Sequence, residues 1–177
     1  MTAIELHRPT PADAEELLAF ELDNRAYFEH WINARPASYY SLEAVRQAID
    51  AAARERTADT AHQFLIKAEG RIVGRINLTG VVRPHFGKAM LGYRIAEACA
   101  GRGHASAAVA LVLKEAFEGL KLWRIEATAR PENAGSVRVL ERNGFTLFGR
   151  SQRSMWLRGQ WYDLLQFERH NEIDPMQ

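Results

Sequence analysis

Apolar and polar positions alternate from the start. Ile4-Glu5-Leu6-His7-Arg8 has the two-residue period of a strand. Pro9-Thr10-Pro11 ends it. Thr10 suits a helix cap with Pro11 at the first helical position, and Asp13, Glu15 and Glu16 suit the positive end of that helix. Leu17, Leu18, Phe20 and Leu22 are its expected buried face. Tyr27, Phe28, Trp31 and Ile32 predict a short aromatic helix. A third helix runs from a Ser41 cap to about Arg56, with Val45 and Ile49 inward. Gln63–Ala68 and Ile72–Val82 form a hairpin around Glu69-Gly70-Arg71, with Gly74 and Gly80 as weak points or bulges. Arg83–Gly87 turns into a strand over Met90–Ile95, in which Gly92 predicts a bulge or a close backbone approach.

Beyond that strand, Val109, Val112, Leu113 and Phe117 recur at helical spacing. Leu122–Ala129 alternates as a strand. Ser136–Asn143 is a short helix stopped by Gly144, with Asn143 as its cap. Phe145–Leu157 and Trp161–Phe167 close the chain as a hairpin around Arg158-Gly159-Gln160, and the polar tail Glu168–Gln177 is expected to fray. Strands with comparatively few helices fit a mixed sheet better than a doubly wound one.

The loop Ala100-Gly101-Arg102-Gly103-His104-Ala105 joins the Met90–Ile95 strand to the longest apolar helix. Two glycines allow a ligand close to the main chain, and the helix start offers unpaired N–H groups with partial positive charge, which suits a phosphate. Arg102 and His104 can add charge at the rim. A dinucleotide fingerprint would follow the first strand and carry three glycines; a Walker loop would end in Gly-Lys-Ser/Thr. Neither pattern is present.

Composition narrows the classes. A chain of 177 residues with 47% apolar and 25% charged residues predicts one globular domain, residues 1–177. A net charge of +1 makes no case for general nucleic-acid binding. No apolar run reaches the ~20 residues that span a bilayer, and the start lacks a signal-peptide pattern. The single cysteine, Cys99, precludes an intramolecular disulfide and a cysteine-based zinc cluster; it is expected as a small packing residue in a cytoplasmic protein.

The loop resembles motif A of the Gcn5-related N-acetyltransferases (GNAT), Gln/Arg-x-x-Gly-x-Gly/Ala. Gly103 and Ala105 fill its last two fixed positions, while Ala100 stands where Gln or Arg is expected. Arg130-Pro131-Glu132-Asn133-Ala134-Gly135-Ser136 through Arg142-Asn143-Gly144-Phe145 resembles motif B. With Gly159-Gln160-Trp161-Tyr162-Asp163, the chain is most similar to the RimJ/RimL branch, which acetylates N-termini of ribosomal proteins. The resemblance implies an α/β (α+β) GNAT fold: a single mixed, mostly antiparallel sheet of about seven strands with about four helices, split between its two central strands.

It also implies site residues. Main-chain groups of Ala100, Gly101, Arg102, Gly103, His104 and Ala105 would hold the diphosphate of acetyl-CoA. Tyr93, Arg94 and Ile95 would carry the pantetheine arm on their backbone, with one N–H polarising the thioester carbonyl. The Asn133 amide would bond the arm, and Ser136 would protonate the leaving thiolate. Glu126 or Asp163 would serve as base through water. Met155 occupies the position where relatives carry a base glutamate. No metal is called for. The expected acceptor is a protein N-terminal amine; the alternatives are a small amine, such as a polyamine or an antibiotic, or a CoA-binding protein without turnover. A homodimer is possible in this branch.

Overall fold

The computed structural model describes residues 3–173, and one seven-stranded sheet runs through it. The strands are β1 (Ile4–His7), β2 (Ala61–Ala68), β3 (Arg71–Val82), β4 (Lys88–Ile95), β5 (Arg124–Ala129), β6 (Thr146–Leu157) and β7 (Gln160–His170), in spatial order β1-β2-β3-β4-β5-β7-β6. The β4–β5 pair is parallel and the other five pairs are antiparallel. The helices are α1 (Ala14–Asp23), α2 (Arg25–Trp31), α3 (Leu42–Thr57), α4 (His104–Lys114) and α5 (Ala134–Arg142), five where about four were expected.

The two faces of the sheet carry separate cores. On one, Val109, Val112 and Leu113 of α4 and Leu140 of α5 pack on Ile66, Ile76, Leu78, Ile125 and Phe167. On the other, Leu17, Phe20 and Phe28 of the first two helices join Val45 and Ile49 of α3 over Leu65 and Ile72. A strand covered on both sides loses its alternation, which is why Phe64-Leu65-Ile66 reads as a continuous apolar run. Each such side chain withdrawn from water contributes roughly 1.5–3 kcal/mol.

The expected starts and stops mostly hold, with physical exceptions. Thr10 caps a 3-10 turn, Pro11–Asp13, and α1 follows it. Leu22, expected inward, is 46% exposed, whereas Glu21 is 1% exposed. Spacings of three and four residues from Ala14 and Leu17 lead to position 21, so the carboxylate falls on the inner stripe. Asn133, not Ser136, opens α5, its Oδ1 accepting from the Ser136 N–H at 3.0 Å. Helix α4 passes into a π turn at Glu115–Gly119, where the Leu120 N–H reaches the Glu115 carbonyl. Glu168–His170, expected to fray, pair as strand against β5; the rest of the predicted tail lies partly outside the described residues.

Gly92 is not a bulge. It stays in unbroken register with Asn77, and the irregularities of this hairpin region fall at Ile66/Lys67, opposite Gly74, and at Thr79/Val82, beside Gly80. The gap at the centre of the sheet has another cause. β4 and β5 pair only from Lys88–Leu91 with Arg124–Ala127. Beyond Leu91, β4 stays with β3, while Thr128 and Ala129 stay with Gln166 and Leu165 of β7. The two strands part.

Candidate active site

A cavity of about 880 Å³ occupies this parting and runs through the sheet from one face to the other. Its middle is walled by Gly92, Tyr93, Arg94 and Ile95 of β4 and by Thr128 and Ala129 of β5. A strand that has lost its neighbour presents main-chain donors and acceptors along its free edge.

One mouth lies on the face of α4 and α5. Gly101 and Gly103 take φ of +73° and +85°, a backbone that side-chain-bearing residues rarely adopt, and Gly103 is the N-cap of α4. No side chain caps this helix, so its first N–H groups face the cavity beside Gly103, Ala105 and Ser106. Loop and helix start therefore form a cradle for an anion. The charge at this mouth comes from Arg138 and Arg142 of α5, which line it. Arg102 is exposed and does not line the cavity, and His104 is buried in the first helical turn, with Nδ1 lacking a partner among the described residues. Asn143 fastens the two helices, its Nδ2 donating to Ser106 Oγ at 3.1 Å. Cys99 borders the cavity half-buried and packs against the larger core.

Between the mouths, the Tyr93 hydroxyl lies 2.8 Å from Ser136 Oγ and also donates to the Ser136 carbonyl at 3.3 Å. Burial pushes the Tyr93 phenol up to about 12, the serine contact offsetting this only in part, so the hydroxyl keeps its proton throughout the neutral range. The sequence pointed to the Tyr93 backbone; the structure adds its side chain, joined to the serine of the second motif. Asn133 spends its Oδ1 on the α5 cap, which leaves its Nδ2 to face the cavity.

The other mouth lies under α1 and α2. Tyr27, Phe28, Trp31 and Ile32 line it. Arginines face them. Arg75 is buried, donates to Glu21 Oε1 at 2.6 Å and to the Tyr39 hydroxyl at 3.0 Å, and is held above its ordinary value by these partners although burial works against it. Arg94 Nη1 lies 3.4 Å from Glu21 Oε2, with its guanidinium over the Phe28 ring at 5.2 Å. Burial brings the Arg94 guanidinium down to about 10, Arg75 and Arg35 adding to the effect against Glu21, and it stays charged at neutral pH. Arg130 stacks on Tyr162 at 3.6 Å and donates to the His30 carbonyl. Nothing in the notation of repeats or spacings marks Glu21, Arg75 and Asn77 as site residues. A charged residue inside the apolar run Ile72-Val73-Gly74-Arg75-Ile76 was the available signal.

Neither carboxylate expected to border the cleft reaches it. Glu126 is held by Lys88 Nζ at 3.0 Å and by Arg124, and lies outside the cavity lining. The β4–β5 register places Lys88 directly beside Arg124, so two cations converge on one carboxylate. Asp163 accepts from the Arg153 N–H at 2.9 Å and from Arg150 Nε at 2.7 Å, where β6 bulges between Ser151 and Met155. That backbone bond, then Arg150, holds its carboxyl below the usual range. It braces a hairpin. Met155, apolar, lines the channel. Among the described residues no group of three or more His, Cys, Asp or Glu could hold a metal ion, and no helix is long and apolar enough to cross a membrane.

Known proteins are similar to this chain in sequence and in fold. Residues 3–146 match the family model described as Acetyltransferase (GNAT) domain. The chain is 36% identical over 153 residues to the Bacillus subtilis (strain 168) protein named "Probable N-acetyltransferase YjcK", covering 85% of this chain and 84% of that one. It is 26% identical to the ribosomal protein uS5-alanine N-acetyltransferase of Escherichia coli (strain K12), over 85% of this chain and 79% of the relative. Among solved structures, Mycobacterium smegmatis RimJ in complex with CoA-disulfide superposes with a TM-score of 0.89 at 27% identity, covering 96% of this chain and 82% of that one.

Proposed function

The chain belongs to the GNAT acetyltransferase family, and from that premise we propose that it transfers the acetyl group of acetyl-CoA to the α-amine of a protein N-terminus. The observation that carries the reading is the channel itself: an anion cradle at one mouth, an unpaired strand edge in the middle and an aromatic-lined opening at the other. Relatives named for ribosomal-protein acetylation and for a CoA complex support it.

The residues divide the work along the channel. The main chain of Ala100–Ala105 and the first turn of α4 receive the diphosphate, with Arg138 and Arg142 beside it. The free edge at Tyr93–Ile95 pairs with the pantetheine amides, as an added strand would, and the Asn133 Nδ2 bonds the same arm. An N–H of that edge faces the thioester carbonyl and stabilises the oxyanion as it forms. Ser136, held by the Tyr93 hydroxyl, supplies the proton for the departing thiolate.

The attacking amine needs little help. An α-amine has a reference pKa of ~7.7–8.0, so roughly a tenth is neutral at pH 7, against less than about one in a thousand for lysine at ~10.4. Among the described residues that line the channel the one carboxylate, Glu132, is paired with Arg130 at 3.4 Å, and the lack of an unpaired one suits an N-terminus better than a lysine side chain. The same lack keeps one rival open, a CoA-binding protein without turnover.

The test is release of free CoA thiol from acetyl-CoA with short peptides beginning in Ala or Ser. Turnover is expected. Failure with peptides and with a panel of small amines would overturn the enzyme reading. CoA at 100 times its Kd should add ~2.7 kcal/mol to stability; no thermal shift at millimolar CoA would remove the cofactor assignment.

A further inference from the structure

The acceptor mouth carries more positive charge than its structure uses. Glu21 is the carboxylate on which both Arg75 and Arg94 converge, and Arg75 takes the short contact at 2.6 Å. Arg75 is further satisfied by the Tyr39 hydroxyl and by Gln63 Oε1 at 3.1 Å. Arg94 is different. Its side chain is 15% exposed and its nearest carboxylate oxygen lies 3.4 Å away, yet it makes no hydrogen bond to any of the described residues. A guanidinium has five N–H donors in a planar fork that matches an oxyanion with two oxygens. Keeping such a group mostly out of water with one long ion pair to a shared carboxylate is costly, and the structure retains it on the channel wall.

A second orphan lies next to it. Asn77 Oδ1 is buried, lines the same mouth and has no hydrogen-bond partner among the described residues. In the β3–β4 register Asn77 is opposite Gly92, and Arg94 is two residues further along β4, so both side chains stand on the same face of the sheet. Gly92 leaves open space between them, since a Cβ there would meet nothing within 4 Å. One wall of the acceptor mouth thus offers an unused acceptor and, beyond it, a cationic fork whose N–H donors make no hydrogen bond to the described residues.

We propose that the acceptor is an amine that also carries an anionic group, its N–H donating to Asn77 Oδ1 and its carboxylate or phosphate seated on Arg94. The inference rests on the acetyl-transfer reading and names the substrate class within it. For a protein N-terminus the anion is an acidic side chain next to the terminal residue. For a small molecule it is a carboxylate or phosphate near the amine. Arg130 does not compete for this role, because Tyr162, Glu132 and the His30 carbonyl already occupy it.

The experiment compares kcat/KM for peptides identical except at the second position, Ala-Glu, Ala-Gln and Ala-Lys, and for phosphoethanolamine against ethanolamine. A charge-assisted pair predicts a preference of about tenfold or more for the anionic member of at least one set. In Arg94→Gln the anionic-to-neutral ratio should fall toward one; the ratio is taken within each protein, so a general loss of activity cancels. Equal rates within both sets in the wild type would overturn the inference and leave acetyl transfer standing. If nothing is turned over, titration of the acetylated peptides into the CoA-loaded protein reads the same preference as affinity. Equal affinities there would overturn the anion site too, while an acidic preference would sustain it without the enzyme.

Discussion

The two mouths of the channel are built from different material. At the α4 mouth the working groups are main-chain amides, fixed by Gly101, Gly103 and an uncapped helix start within a few consecutive residues. At the α1–α2 mouth they are side chains drawn from α1, α2, β3 and β4, and the Glu21–Arg75–Arg94 cluster joins residues more than fifty positions apart. The first kind of site tolerates changes of side chain and responds to changes of backbone. The second responds to the loss of any one charge. A family that keeps one donor and varies its acceptors would be expected to divide its labour in this way.

The sharpest way to break that contrast is Glu21→Ala. It leaves the buried Arg75 and the half-buried Arg94 without their carboxylate, and loss of one partner of a buried pair costs about 3–5 kcal/mol. Urea denaturation should show this drop in stability, with the midpoint moving and the slope unchanged. A loss below about 1 kcal/mol would mean that the cluster is effectively solvated.

Gly103→Val probes the opposite mouth. A β-branched residue at φ +85° is strained by roughly 1–3 kcal/mol, and relief of that strain would move the loop. CoA affinity, measured by titration calorimetry, should fall by about tenfold or more, with each tenfold corresponding to about 1.4 kcal/mol. An unchanged Kd would detach the glycine loop from cofactor binding.

Ser136→Ala should have a smaller effect. A thiol with a reference pKa near ~8.5 leaves without much assistance, so kcat should drop by less than about tenfold. The Tyr93 phenol, near 12, stays protonated, so the rate should rise with pH through ~8 as the acceptor amine loses its proton, with no falling limb below pH 10. A descending limb near neutrality would point to a different proton donor.

Asp163→Asn should change least, and only in acid. The folded carboxyl sits below its ordinary value, so its contribution is present above the unfolded pKa of ~3.9 and fades as pH falls through the folded one. The stability gap between wild type and variant, followed by thermal unfolding, should narrow from pH 5 to pH 3. The pH 7 kcat should not change, because the side chain lies outside the channel. A large loss of kcat would return Asp163 to the chemistry.

This contrast also explains what was legible in the chain. The glycine loop, the strand before it and the helix after it are local, and propensity and spacing describe them well. The parting of β4 from β5 followed from resemblance; of the two readings of Gly92, a bulge or a close backbone approach, the unbroken register with Asn77 excludes only the bulge. Glu126 was placed correctly on an alternating strand, yet alternation does not show that Lys88 arrives beside it from β4. Asp163 failed for a like reason: its partners come from the bulge at Arg153, which depends on hairpin register. Glu21 was hidden by its charge, and Leu22 was favoured because it is apolar; helical phase decided otherwise.

Among the described residues, strand pairing between the β1–β4 and β5–β7 parts of the sheet is confined to four positions, Lys88–Leu91 against Arg124–Ala127, with the core under α4 and α5 shared by both parts. A seam at one end only leaves the far ends of β4 and β5 as facing free edges. On the proposed reading, a linear arm threaded between them would supply the missing rungs. Amides of β4 and β5 should then exchange with deuterium more slowly once the arm is in place.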